Sequence, residues 1–426
     1  MATHLSPRTR IVGALIAGLA LALPLGMLSH SGDRDAARLS AGTAIRSEYR
    51  AQTTDTDFGH GTSAGTAKAN GALRIGTAHG TRTWAGKTYE YATWTSPWLT
   101  PGQPFTQLVP SWTATTPAGS WIQVLVRVRD DAGAASTTKN LGSWATADTT
   151  IRRASAGTQS DAVARVATDT VIAKVRPLAS YRLTVRLMRR PGGAGPVVSA
   201  VGVVTSAPPA TVPPTSSPLR SSAIRLGVPT YSQMIHDGQD PQYGGGGEAW
   251  CSPTSLAMIL GYYGRLPAPS TYTWVPSSYA DRWVNHVARL TYDYAYDGTG
   301  NWPFNTAYAA TRTGTAFVTR LTNLRMAERF IRAGIPLALS IRFSRGQLTG
   351  APISATNGHL VVLTGFTAAG DALVNDPAGS SDRAVRRTYD RAQFERAWLG
   401  GSAGMAYVVT DAEHPLPARP TGVRNW

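Results

Sequence analysis

Residues 244–264 read GGGGEAWCSPTSLAMILGYYG and hold the chain's one cysteine, Cys251. A glycine run leads up to it and an apolar helical pattern leaves it. Leu256, Ile259, Leu260 and Tyr263 recur at helical spacing, so one face of a helix is expected to be buried. Ser252 or Cys251 is placed to serve as N-cap, with Pro253 in the first turn, where its missing N–H costs nothing. The thiol then lies at the positive end of a helix dipole, a place that favours a thiolate and makes a cysteine nucleophilic. The competing reading of Cys251 is a small buried hydrophobe.

A length of 426 residues suggests two or three domains, and 42% hydrophobic residues are enough for full cores. Only 15% of the residues are charged, yet the net charge is +16, carried almost entirely by arginine. The arginines are scattered and form no basic patch interleaved with aromatics, which argues against nucleic acid as a partner. Attraction to an anionic envelope polymer fits an exported chain, and an arginine-rich composition without function fits equally.

Arg8 and Arg10 precede the apolar run Ile11–Leu28, which holds Pro24 near its end, and small polar residues follow from Ser29 to Asp35. This is the pattern of a secretory signal peptide, expected over 1–36 and cleaved within Ser29–Ala37. A retained anchor helix is the other reading of that run. No later run is apolar and long enough to span a membrane, so the mature chain is expected to be secreted or held at the cell surface. One cysteine makes no intramolecular disulfide, so packing must supply the stability.

Residues 37–71 are polar and read as a flexible linker. Residues 72–206 change to short alternating runs, among them Thr83–Trp94, Phe105–Trp112, Trp121–Val128, Tyr181–Leu187 and Val197–Val204. Punctuated by Pro/Gly turns, these predict an all-β antiparallel sandwich. Asp161–Ala173 fits helix or strand. Trp84, Trp94, Trp98, Trp112, Trp121 and Trp144 fit a sandwich core or a sugar-stacking platform. Residues 207–222 form a Pro/Ser/Thr linker. Residues 223–412 mix predicted helices at Tyr279–Leu290, Leu324–Gly334 and Arg391–Trp398 with strands at Ile335–Phe343, His359–Phe366, Ala372–Asp376 and Met405–Val409. Residues 413–426 read as an irregular tail.

A cysteine nucleophile needs a base, and the base needs a group that holds it. Of six histidines after the signal segment, His60 and His79 lie before the linker and His414 in the tail, leaving His236, His286 and His359. His359 follows an Asn-Gly turn and opens a strand. The next strand ends at Asn375-Asp376-Pro377, and the turn at Ala368–Asp371 brings the two ends together. Asp376 is therefore placed to fix the His359 tautomer. His286 reads as an ordinary helix histidine, and an Asx turn before Pro377 is the plain reading of Asp376. No second cysteine or close histidine pair exists for zinc, and no cofactor motif is seen; the glycine run lacks a P-loop lysine.

A cysteine at a helix start, a later Gly-His opening a strand and an Asn-Asp-Pro ending the next one resemble the C39-like cysteine peptidase family, over roughly Val228–Asp411. The resemblance implies a papain-like α+β fold with Cys251 as nucleophile, His359 as base and Asp376 as its partner. It also implies that VPTYSQ (Val228–Gln233) is the opening strand, with Gln233 as oxyanion donor. Gln239, Gln242 and Glu248 compete for that role, because the insert Met234–Trp250 separates Gln233 from the cysteine. Ser252 stands where the family pattern has glycine.

The expectation is thus a two-domain exported cysteine peptidase that cleaves a peptide or protein, with cell-wall peptide as one candidate. The alternatives are a non-catalytic envelope-binding protein and an amide or acyl transferase using the same triad.

Overall fold

A computed structural model of the chain describes residues 44–426. The expected signal segment, 1–36, lies outside the described residues.

The first unit holds two antiparallel sheets around a shared core. One sheet has Gln107–Thr115 and Val197–Ala207 at its centre, joined over a long ladder with Val203 opposite Pro110. The other centres on Ser120–Asp130 and Leu178–Arg189, with Val185 opposite Val124. Alternate residues of each central strand point inward, so Leu108, Trp112, Val201 and Val203 meet Trp94, Val124, Leu183 and Val185. Trp94, Trp112, Trp121 and Trp144 are fully buried, which settles them as core; Trp98 lies under the guanidinium of Arg129 at 3.9 Å. The ambiguous stretch Asp161–Ala173 is a hairpin of Ala164–Ala167 and Thr170–Ala173, turned at Thr168 with φ 53°.

The expected flexible linker at 37–71 is corrected over its described part. Arg46–Gln52 adds to the edge of Val197–Ala207 along seven residues, and Thr66–Ala69 pairs with Ala72–Ile75. Polar composition hid these strands because they are edges with one face in water. Between them, Thr54 and Asp57 form a capping box on the short helix Asp55–Gly59.

The second unit is α+β. Its seven-stranded antiparallel sheet runs, in spatial order, Thr315–Arg320, Met405–Thr410, Leu337–Phe343, Thr356–Phe366, Ala372–Asn375 and Arg386–Tyr389, with Ile224–Arg225 paired onto Thr356–Phe366. Helices Cys251–Tyr262, Arg282–Thr291 and Trp302–Thr313 pack together on one side, in a cluster separate from the one formed with Leu324–Arg332 and Arg391–Ser402. The helix Trp302–Thr313 and the strand after it were not expected. Their signals were present: Asn301 caps Phe304 N–H at 3.0 Å, Pro303 sits in the first turn and Gly314 stops the helix at φ 90°.

The linker 207–222 is strapped down rather than free. Buried Glu395 accepts from Ser216, buried Glu328 accepts from the backbone of Leu219 and Arg220, and Arg391 holds the Ser216 carbonyl. The tail also docks, with the Trp426 ring 4.9 Å from Phe330. The two units share their cores: Phe304 of the second packs into the first, 6.1 Å from Trp112, and Val109 and Val204 of the first pack into the second.

Candidate active site

The helix that starts at Cys251 is buried on every side through Leu260, beyond the single buried face that its spacing predicts. Its N-cap is Trp250, with no side-chain cap, which corrects the expectation of Ser252 or Cys251. Cys251 is the first helical residue, so its N–H belongs to the turn that has no partner within the helix. Pro253 sits in that same turn. Ser252 is buried in the core, where its hydroxyl meets Tyr407 Oη at 3.0 Å. Ser255 Oγ donates to the Leu360 carbonyl at 3.0 Å and so ties this helix to the strand that carries His359.

His359 Nε2 lies 2.7 Å from Asp376 Oδ1, both side chains buried. With Nε2 taken, Nδ1 is the other ring nitrogen, and the Cys251 thiol is among the groups that raise the imidazole pKa. Burial pushes the imidazole pKa down, but the Asp376 charge and hydrogen bond and then the Cys251 thiol outweigh it and raise it to about 10. Burial pushes the Asp376 carboxyl up, and the His359 charge and hydrogen bond, the Tyr389 hydroxyl and the Ala378 N–H bring it below the usual carboxylate range. Asp376 Oδ2 accepts from Tyr389 Oη at 2.7 Å, and Oδ1 also accepts from Ala378 N at 3.0 Å. The carboxylate is thus held at both oxygens.

Tyr389 had no mark in the sequence. It ends a short exposed strand, Arg386–Tyr389, and only the pairing of that strand with Ala372–Asn375 brings its ring under the carboxylate.

Val228–Gln233 is not a strand, which corrects the expected opening strand; the strand is Ile224–Arg225. Pro229 has no N–H to give a ladder. The later N–H groups of the segment go elsewhere: Ser232 N donates to Asp382 Oδ1 at 2.7 Å and Gln233 N to the Pro377 carbonyl at 2.9 Å. Gln233 Nε2 donates to the Glu248 carbonyl, three residues before Cys251. Gln233 therefore bridges the loop after Asp376 and the loop before Cys251. Its rivals are turned away: Gln239 meets His236 and Asn285, Gln242 is exposed and Glu248 accepts from Gly238 N. His236 and His286 are both buried, and burial pushes both imidazoles down, His286 to about 4. Among the described residues no group of three or more histidine, cysteine or acidic side chains is arranged to hold a metal ion.

Comparison with protein families gives two matches, "Peptidase C39 N-terminal domain" over residues 48–206 and "Peptidase_C39 like family" over residues 225–403. Curated proteins give no match. The solved structures that resemble the chain include infectious bursal disease virus Gt strain, at 12% identity over 39% of this chain and 37% of that one, TM-score 0.19. The enzymatically active domain of bacteriophage CBA120 tailspike protein 4 matches at 11% identity over 40% of this chain and 20% of that one, TM-score 0.17. The chain thus spans well under two thirds of either, and nothing about it follows from likeness at these scores. The family matches cover the two units in turn: residues 225–403 of the second unit match the C39-like peptidase family, and residues 48–206 of the first match the N-terminal domain found with C39 peptidases.

Proposed function

We propose that the protein is an exported cysteine peptidase with a papain-like centre, acting through Cys251, His359 and Asp376. The observation that carries this reading is the buried His359–Asp376 pair, linked at 2.7 Å, with the buried Cys251 thiol acting on the same ring. An imidazole whose pKa is raised to about 10 is a cation at neutral pH, suited to pair with a thiolate.

In this mechanism the Cys251 sulfur attacks the carbonyl carbon of the scissile amide and a tetrahedral oxyanion forms. As the C–N bond breaks, His359 gives its proton to the leaving amine. A water then attacks the thioester, His359 takes its proton, and the C–S bond breaks to release the acid and restore the thiolate. Gln233 Nε2 has a second N–H beyond the one given to Glu248, and together with the Cys251 N–H it would stabilise the oxyanion. Asp376 keeps the ring oriented and charged.

The substrate class is a peptide or protein. Export rests on the N-terminal sequence pattern; among the described residues no helix is long and apolar enough to cross a membrane. The +16 charge favours residence near an anionic envelope, where wall peptides are one candidate substrate.

The test is hydrolysis of a fluorescent casein by the full chain and by Cys251→Ala. Turnover that disappears in the variant, with unchanged circular dichroism, supports the reading. Equal turnover by both proteins overturns it.

A further inference from the structure

The turn Tyr292–Asn301 joins two helices of the second unit and leans on the glycine run before Cys251. Thr299 Oγ1 donates to the Ala249 carbonyl at 3.4 Å. A Cβ at Gly244 would stand 3.4 Å from Gly298 Cα, so the two backbones are in contact. The ring of Tyr296 lies along Gly298, where a Cβ would come within 2.9 Å of it. Burial raises the Tyr296 phenol to about 12.

The turn is held both by its own groups and by the first unit. Asp293 is fully buried at its base. Its Oδ1 accepts from Ser155 N at 3.0 Å as well as from Ala295 N at 3.0 Å and Tyr296 N at 3.2 Å, and its Oδ2 accepts from Asn301 Nδ2 at 2.8 Å. Tyr294 N donates to the Arg153 carbonyl at 3.1 Å, and Tyr294 Oη to Asp148 Oδ2 at 3.3 Å. Asp148 also takes both arms of Arg289, at 2.8 and 2.9 Å, and Arg153 Nη1 donates to the Arg289 carbonyl at 2.8 Å. Ser155, Arg153 and Asp148 all belong to the N-terminal unit, and the groups they satisfy are buried or half-buried, where an unmade hydrogen bond is costly.

We propose that the N-terminal domain is a working part of the catalytic centre: through Asp148, Arg153 and Ser155 it fixes the turn Tyr292–Asn301 as the wall along which a polypeptide substrate lies beside Cys251. Asp293 is then a positioning residue. This rests on the peptidase reading and adds to it that the first unit is no detachable binding module. Geometry this close to the reacting atoms is worth up to about 10²-fold in rate for a misplacement of about 1 Å.

The experiment uses the full chain, Asp293→Asn and, as the variant across the interface, Asp148→Asn. An amide at 293 keeps the size but turns an N–H toward Asn301 Nδ2, which cannot rotate without releasing the Phe304 N–H it caps. Two probes of Cys251 are compared, iodoacetamide and iodoacetyl-Ala-Ala-Ala-amide. Both variants are expected to lose roughly tenfold or more in reaction with the peptidyl probe and to keep the native iodoacetamide rate. Hydrogen exchange at the Ala295 and Tyr296 amides is expected to accelerate in Asp148→Asn, which touches neither amide. Native exchange there in Asp148→Asn, or native peptidyl-probe rates in both variants, overturns the proposal. A native Cys251 inert to both probes defeats the peptidase reading instead, and the exchange result then still decides whether the N-terminal domain holds the turn.

Discussion

His359 and Asp376 are joined at 2.7 Å although they are not opposite one another in their sheet. The ladder pairs Val362 with Asn375, so the residue facing Asp376 on the continued register is Val361, and His359 lies two further along on the same face. Such diagonal neighbours have backbones about 7–8 Å apart, within reach of a ring and a carboxylate. Tyr389, from the strand on the other side, completes the grip on the carboxylate.

The pair makes stability depend on pH in a defined window. The raised His359 pKa contributes stability that is fully present below its ordinary value of 6.5 and is lost as pH climbs toward about 10. The lowered Asp376 pKa contributes stability that is present above its ordinary value of 3.8 and lost as pH falls through its folded value. The stability difference between the native protein and Asp376→Asn should therefore be largest between those ordinary values, and should shrink above pH 6.5. Urea melts across that range measure it; a difference that grows toward alkaline pH would contradict the ion pair.

The same variant should move the alkaline limb of activity. Without the carboxylate, the imidazole falls back toward its ordinary range, so the cation needed to protonate the leaving amine disappears at lower pH. His359→Ala should lower kcat by about 10²–10⁴-fold, the usual contribution of a positioned acid–base group. A pH–rate profile that Asp376→Asn leaves in place would show that Asp376 does not tune His359.

Gln233→Ala should cost about 10²–10³-fold in kcat if its amide serves the oxyanion, with little change in KM. The fall must appear in kcat. A loss confined to KM, or shared equally with Gln239→Ala, would reassign the residue to holding the loops at Glu248 and Pro377.

Tyr389→Phe removes one hydroxyl and leaves a buried carboxylate oxygen without its donor, which should cost about 1–3 kcal/mol in stability. Ser252→Ala removes the bond to the buried Tyr407 Oη and leaves that hydroxyl without its partner, so it should cost about 1–3 kcal/mol, without lowering activity because the Ser252 hydroxyl is taken up by Tyr407. Denaturant midpoints and peptide turnover separate the two. Lost turnover in Ser252→Ala would place that hydroxyl in the chemistry.

What was legible in the sequence was local. Cys251 at the head of a helix and Asp376 just past the end of a strand could be read because caps, turns and alternation act over a few residues; the Asn357-Gly358 turn expected before His359 is instead part of its strand, Thr356–Phe366, so His359 lies inside the strand and does not open it. The central strands of the N-terminal unit were readable for the same reason, and the resemblance to the C39-like family rested on those same marks. Edge strands such as Arg46–Gln52 were not, since a strand with one face in water has no apolar signature, and its partner lies some 150 residues away. Only the tertiary structure set Tyr389 beneath Asp376, turned Ser252 into the core and brought Asp148, Arg153 and Ser155 to the turn before Trp302. Those contacts depend on long-range register and on the fusion of two cores, and burial of polar groups makes them obligatory once the chain has closed around them.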